Sequence, residues 1–312
     1  MRGDHERSKL VAAALVVMVA TMIGGQVSSL AADAYTKEIE TYRHDREARL
    51  RGESGWLSLI GLFWLTDGVQ RMGSDPRADI VLPASSAPAS AGTLTVKDGR
   101  VTIALLPGAT ATVDGKPITA ARELRADNPG PPDVVMIGSV SLQVIKRAGH
   151  LGIRLKDGNS PARRAFTGLR FFPIRPSYRV AARFVAHEHP VAITVPSATG
   201  PAQTLQSPGA AVFRLDGHEY RLDAILEEPT DTELFFIFRD QTSAHETYGA
   251  GRFLYTPLPR DGQVIVDFNK AFSPPCAFTP YATCPLPPPQ NRLPIKIEAG
   301  ELAPSIHGGA AP

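Results

Sequence analysis

Asp-Gly pairs recur between short apolar runs in this chain, at Asp98-Gly99, Asp114-Gly115, Asp216-Gly217 and Asp261-Gly262. Both residue types tolerate positive φ, which the tightest hairpin loops require at their two central positions. Each pair therefore predicts a strand on either side. Runs at 78–82, 92–97, 100–105, 111–113, 134–137 and 140–146 fit, and the same rhythm continues at 151–155, 166–173, 178–186, 192–195, 211–215, 218–224, 233–240, 252–255 and 263–268. With 27 Gly and 28 Pro, about one residue in six is a turn former, and no repeat of fixed period is present.

One helix stands out against this texture. Tyr35, Ile39, Tyr42, Arg46 and Leu50 recur at helical spacing over 34–52, and the positions between them are largely charged. The dense apolar stretch Trp56–Leu65 that follows reads as core. The expected fold is all-β: two stacked β units, one sandwich-like and one barrel-like, with a single N-terminal amphipathic helix. The soft boundary is the Pro/Gly stretch 127–132. It divides the chain into 32–130, helix plus sandwich-like unit, and 131–312, a barrel-like unit carrying a Pro-rich segment with two Cys.

Residues 1–31 read as an address rather than fold. A marginally basic start precedes an uncharged apolar run, Leu10–Ile23, and Ser29-Leu30-Ala31 supplies small residues for cleavage. That run is shorter than the roughly 20 residues a spanning helix needs. A cleaved secretory signal and a periplasmic or secreted protein are the expectation, with no membrane attachment after cleavage. The alternative is an uncleaved anchor. A formal net charge of +2 gives no basis for nucleic-acid binding. Cys276 and Cys284, with seven residues between them, are expected to pair as a disulfide in an oxidising compartment, two free buried thiols being the alternative. Two thiolates without a nearby His do not make a zinc site, and no cofactor or metal is implied.

The stretch AspPheAsnLysAlaPheSerProProCysAlaPheThrProTyrAlaThrCysProLeuProProProGlnAsnArgLeu, 267–293, resembles the DUF1684 family, a bacterial and archaeal family of uncharacterised function. The likeness extends to 61–65, 73–83, 246–254 and 299–301, which is nearly all of the chain after the leader. Departures are Phe272-Ser273, where relatives show Tyr-Asn, and His150, where many show Arg. The resemblance implies no activity. Residues 68–115 also have the texture of a forkhead-associated sandwich, but Ser74 follows Gly73 where such modules place a phosphate-binding Arg.

Polar chemistry must then be sought in the residues. Eight Arg fall between 147 and 183, and guanidinium is suited to carboxylate and phosphate because its planar fork donates two parallel bonds. Arg179 and Arg183 share a strand face, with Val180 and Phe184 opposite. On an extended segment Glu246, Tyr248 and Arg252 point one way; Asp267 and Asn269 share a face. These readings give a candidate clamp for a small anionic or polar ligand: Arg154, Arg164, Arg179 and Arg252 on the anion, with Glu246, Tyr248, Asp267 and Asn269 orienting it under a proline-rich lid, 274–293. A solvated Arg face and a structural ion-pair network are the competing readings. Two other functions remain open. One is a hydrolase with Glu246 or Asp267 as general base; the other is an envelope scaffold without ligand. No Gly-x-Ser-x-Gly, His-Glu-x-x-His or phosphate-cradling loop is present, and neither ligand identity nor oligomeric state is encoded in any motif.

Overall fold

A computed structural model describes residues 32–198 and 201–305; the expected leader, 1–31, lies outside the described residues. Residues 32–51 form helix α1. Strands β1 (Leu59–Trp64), β2 (Gly68–Gly73), β3 (Ile80–Val81), β4 (Gly92–Lys97), β5 (Arg100–Leu105), β6 (Thr112–Val113), β7 (Lys116–Pro117), β8 (Arg122–Leu124), β9 (Val135–Ile137), β10 (Val140–Arg147) and β11 (His150–Asp157) follow. They assemble two sheets, in the orders β1-β11-β10-β9-β6-β7 and β3-β2-β4-β5-β8. The sheets share one apolar core, in which Leu94, Ile103, Val113, Leu142 and Ile153 are fully buried.

The expected boundary at 130/131 runs through this core. β9, β10 and β11 pair with β1 and β6 from the other side of it. The Pro/Gly stretch is a tethered loop rather than a linker. Asp127 receives both terminal nitrogens of Arg147 at 2.9 and 2.8 Å, and Asp133 receives Arg125 at 2.8 Å. The chain leaves this first unit only after Asp157.

A short helix α2 (Pro161–Ala165) leads into the second unit, made of β12 (Arg179–Val195), β13 (Gln203–Leu215), β14 (His218–Asp223), β15 (Glu233–Phe238), β16 (Arg252–Pro257) and β17 (Gln263–Asp267). Its main sheet runs β14-β13-β12-β17, and β15 with β16 makes a separate pair. No closed barrel forms among the described residues: the four-stranded sheet ends at β14 and β17. β12 fuses the two strands expected at 178–186 and 192–195, with its pairing to β13 shifting between Ala186 and Val191. Gly209 lies opposite that shift, where a Cβ would meet the Val185 carbonyl at 2.4 Å. The strand expected at 166–173 is absent apart from one bridge, Phe171 to Glu301.

The four Asp-Gly pairs named above take the hairpin geometry, with φ values of 52/72°, 52/75°, 49/80° and 51/70°, whereas Asp67 and Asp157, in the chain's two other Asp-Gly pairs, do not have positive φ. Ala148-Gly149, between β10 and β11, adopts the same geometry at 47/83° without the Asp that would announce it.

Helix α1 buries the anticipated stripe, with Ile39 and Leu50 almost fully covered. It packs on the second unit, not the first, which the division at 130 does not foresee. Tyr42 donates to the Lys270 carbonyl at 2.8 Å, and Arg46 Nε donates to the fully buried Glu301 at 3.2 Å while its NH2 reaches the Ser273 carbonyl at 2.9 Å. Burial raises the Glu301 carboxyl and Arg46 opposes the rise. The segment 274–293 is a strap. Phe278, Ala282, Cys284 and Leu293 are buried in three different apolar clusters, and Asn291 donates to the Asp223 and Ile237 carbonyls at 2.9 and 3.0 Å. A segment holding this much core is a wall, not a lid. Proline's fixed φ lets it lie extended with little ordering cost.

Candidate functional site

The four guanidiniums of the expected clamp occupy separate places. Arg252, which enters β16, is fully buried. It donates to Asp240 at 3.1 Å, to the Ile297 carbonyl at 3.0 Å and to the Ala299 carbonyl. Asp240 is equally buried and also takes the Ile297 amide at 2.7 Å. This is a structural ion pair that ties 297–299 to the β15–β16 hairpin. Arg164 is exposed, donates to the Asn159 carbonyl, and lines a shallow hollow of about 670 Å³ with Ile60, Leu82, Ser139 and Asp157. Arg179 is exposed beside the Tyr35 ring, 5.9 Å from its centroid, at a hollow of about 580 Å³ that Glu38 and Pro176 also line.

Asp267 and Asn269 do meet, and Tyr35 of α1 joins them. The Tyr35 hydroxyl donates to Asp267 at 2.9 Å; the Asn269 amide donates to Tyr35 at 2.9 Å and to the Arg175 carbonyl at 2.9 Å. Burial and the Asp267 charge push the Tyr35 phenol well above its ordinary value. The Asp267 contacts fasten Tyr35 of the helix and order Asn269, which is a structural use of this carboxylate. Helix α1 is the partner that sequence spacing does not reveal.

Glu246 lies elsewhere, in a cavity of about 620 Å³ with Arg239, Asp240, Ser243, His245 and Lys296. One carboxylate oxygen accepts from Lys296 at 3.2 Å; the other is buried without a partner. Glu246 and Asp267 thus serve different neighbourhoods, and the two-carboxylate hydrolase arrangement is not assembled. Tyr248 points to the strap, donating to the Cys276 carbonyl at 3.2 Å. Cys276 and Cys284 are free thiols here rather than the expected disulfide, the Cys276 amide donating to Cys284 Sγ at 3.0 Å. Among the described residues no group of three His, Cys, Asp or Glu gathers as a metal ion would require, and no helix is long and apolar enough to cross a membrane.

The last of the expected clamp, Arg154, differs from the rest. It lies on the face of β11 opposite the first unit's core, 8% exposed, with its guanidinium carbon 5.2 Å from the Trp56 ring centroid. Trp56 itself packs on the cluster that holds Cys276 and Cys284, so this guanidinium faces the junction of the two units. It makes no hydrogen bond or ion pair with any described residue, and its Nε is buried and unpartnered. Burial, helped by the neighbouring Arg147, pulls its pKa down to about 10. Lys156 lies 5.8 Å from the same indole, its ammonium donating to the Ser54 carbonyl at 2.6 Å, and burial with Arg154 nearby lowers it as well. Arg147 is neutralised by Asp127. The junction therefore carries a largely desolvated positive charge that Asp127 offsets only in part and at a distance. A buried cation is costly unless something pairs it.

No curated protein matches the chain. Among solved structures, an uncharacterised protein of Haloarcula marismortui is 33% identical over 46% of this chain and 80% of its own, with a TM-score of 0.40. The FhaA FHA domain complexed with the intracellular domain of Rv3910 is 17% identical over 30% of this chain and 96% of its own, with a TM-score of 0.22. The family described as a protein of unknown function, DUF1684, matches residues 164–302. That span begins in the last turn of α2, takes in the whole β12–β17 unit and the strap, and leaves out the first unit, so the resemblance covers roughly the C-terminal half rather than nearly the whole chain. Through that half, the chain belongs to the DUF1684 family.

Proposed function

We propose that this is an exported protein, periplasmic or secreted, that binds a small anionic molecule at the junction of its two units, with Arg154 as the anchor. One observation carries the reading: Arg154 is 8% exposed, its Nε is buried without a partner, and no described residue gives its guanidinium a hydrogen bond or a carboxylate contact. Guanidinium presents a planar donor fork suited to a carboxylate or phosphate. Trp56 beneath it and Lys156 beside it supply a flat wall and a second positive charge. The cavity at Glu246 is the weaker candidate for an anion, because Lys296 is paired with Glu246 and Asp240 with Arg252.

The test is thermal unfolding in the presence of phosphate and a panel of small mono- and dicarboxylates. A ligand at 100 times its Kd stabilises by about 2.7 kcal/mol. The expected result is a rise in Tm for at least one anion in the wild type and none in Arg154→Met. If no carboxylate or phosphate shifts the wild-type Tm, or Arg154→Met shifts equally, the reading is wrong. Export rests on the sequence of residues 1–31, and fractionation of the native host with an N-terminal sequence of the recovered protein checks it. Recovery in the cytoplasm with Met1 intact would contradict it.

A further inference from the structure

We infer that Cys276 and Cys284 form a reversible dithiol–disulfide couple that reacts with hydroperoxides, Cys276 being the thiol attacked first and Cys284 the thiol that resolves it. The inference does not rest on the anion reading. It starts from the strap. Pro274 and Pro275 set the chain into a single turn at Pro275–Ala277, and Pro285 follows Cys284 directly. Cys284 is held from behind, its carbonyl accepting the Ala198 amide at 2.9 Å, while its sulfur accepts the Cys276 amide at 3.0 Å. The two residues are thereby brought side by side although seven residues separate them.

Their surroundings are unequal. Cys284 is 2% exposed, whereas Cys276 is only half-buried. The Tyr248 hydroxyl reaches the Cys276 residue, donating to its carbonyl at 3.2 Å. The hydrogen bond from the Cys284 thiol favours a thiolate at Cys276 and holds it below the ordinary thiol range, while that same bond and burial push Cys284 up. The accessible sulfur is thus the better nucleophile and the hidden one its neighbour, the arrangement that site-selective oxidation needs.

The chemistry balances as follows. The Cys276 thiolate attacks one peroxide oxygen, the O–O bond breaks, and the alcohol or water leaves with a proton from solvent; sulfur is oxidised to the sulfenic acid. The Cys284 sulfur, losing its proton, then attacks Cys276 Sγ. The S–O bond breaks, water departs and the S–S bond forms. Two thiols and one hydroperoxide give one disulfide, one alcohol and one water. An external dithiol returns the two electrons.

The experiment exposes the fully reduced full-length protein to hydrogen peroxide and follows intact mass and free thiols. The wild type is expected to lose two hydrogens per chain without linking chains. Cys284→Ser should stop at a sulfenic acid that dimedone labels at position 276, and Cys276→Ser should keep its remaining thiol at least ten-fold longer. Should Cys276→Ser fail to fold, the rates of iodoacetamide labelling of Cys276 and Cys284 in the wild type replace it, with Cys276 expected first. Retention of both thiols, linkage only between chains, or equal reactivity of the two sulfurs would each overturn the inference.

Discussion

Replacing Arg154 by Met should make the ligand-free protein more stable, not less. A guanidinium whose pKa has fallen from the ordinary arginine range to about 10 is held charged at neutral pH against a cost of roughly 3 kcal/mol, at 1.36 kcal/mol for each tenfold change in proton affinity. Met keeps most of the stem that lies against Trp56 and removes the charge. Loss of the cation–π contact returns about 1 kcal/mol of that gain. The expected net change is about 1–2 kcal/mol of added stability, within the range seen when buried ions give way to apolar residues. The sign with pH follows. A base whose folded pKa is depressed costs stability while it is charged, and the cost fades as pH rises through the folded value. The advantage of Arg154→Met should therefore hold at neutral pH and shrink as pH rises through about 10. Urea unfolding of both proteins at pH 7 and at about pH 11, above the folded value, reads it directly, given equal m-values. Destabilisation of Arg154→Met by more than about 1 kcal/mol at pH 7 would show that the guanidinium is compensated, and the reasoning behind the anion anchor would go with it.

Other expectations follow from the same contacts. Arg252→Met should cost about 3–5 kcal/mol in chemical denaturation, because it strands the Asp240 carboxylate in the core, and the double variant Arg252→Met/Asp240→Asn should recover part of that; equal single and double costs would refute the coupling. Ala148→Gly should raise the unfolding free energy by about 1 kcal/mol, read as a higher urea midpoint, since an L-residue at φ 47° carries a strain that Gly lacks. Glu47 accepts the Leu169 amide at 3.0 Å and pairs with Arg51, which holds its carboxyl below the usual range. Its stabilising contribution is present above the ordinary Glu value and lost as pH falls through the lower folded one, so the gap between wild type and Glu47→Gln should narrow as pH falls below the ordinary Glu range. Tyr35→Phe should cost about 1–2 kcal/mol by leaving buried Asp267 without its hydroxyl donor, and native-state hydrogen exchange should show the loss concentrated in α1.

The local physics of this chain was legible from its residues. Four of the six Asp-Gly pairs located turns because both residue types tolerate positive φ, and the run of aromatic, aliphatic and Arg positions from 35 to 50 located the buried stripe of α1. Period-2 alternation placed β4 and β5 to the residue. What the sequence did not carry was the choice of partner. Nothing in Asp127–Pro132 announces that Arg147 and Arg125 will close it into a loop inside one core, and nothing in Tyr35 points to Asp267, 232 positions away. Arg154, Arg164, Arg179 and Arg252 have one chemistry, yet burial and neighbours give them three fates. Arg252 is a paired core cation, Arg164 and Arg179 are exposed, and Arg154 is desolvated and unpaired. Residue type and spacing set conformation over a few positions, since those energies are local. Which charges end up paired depends on surfaces brought together from distant parts of the chain, and only the tertiary structure decides that.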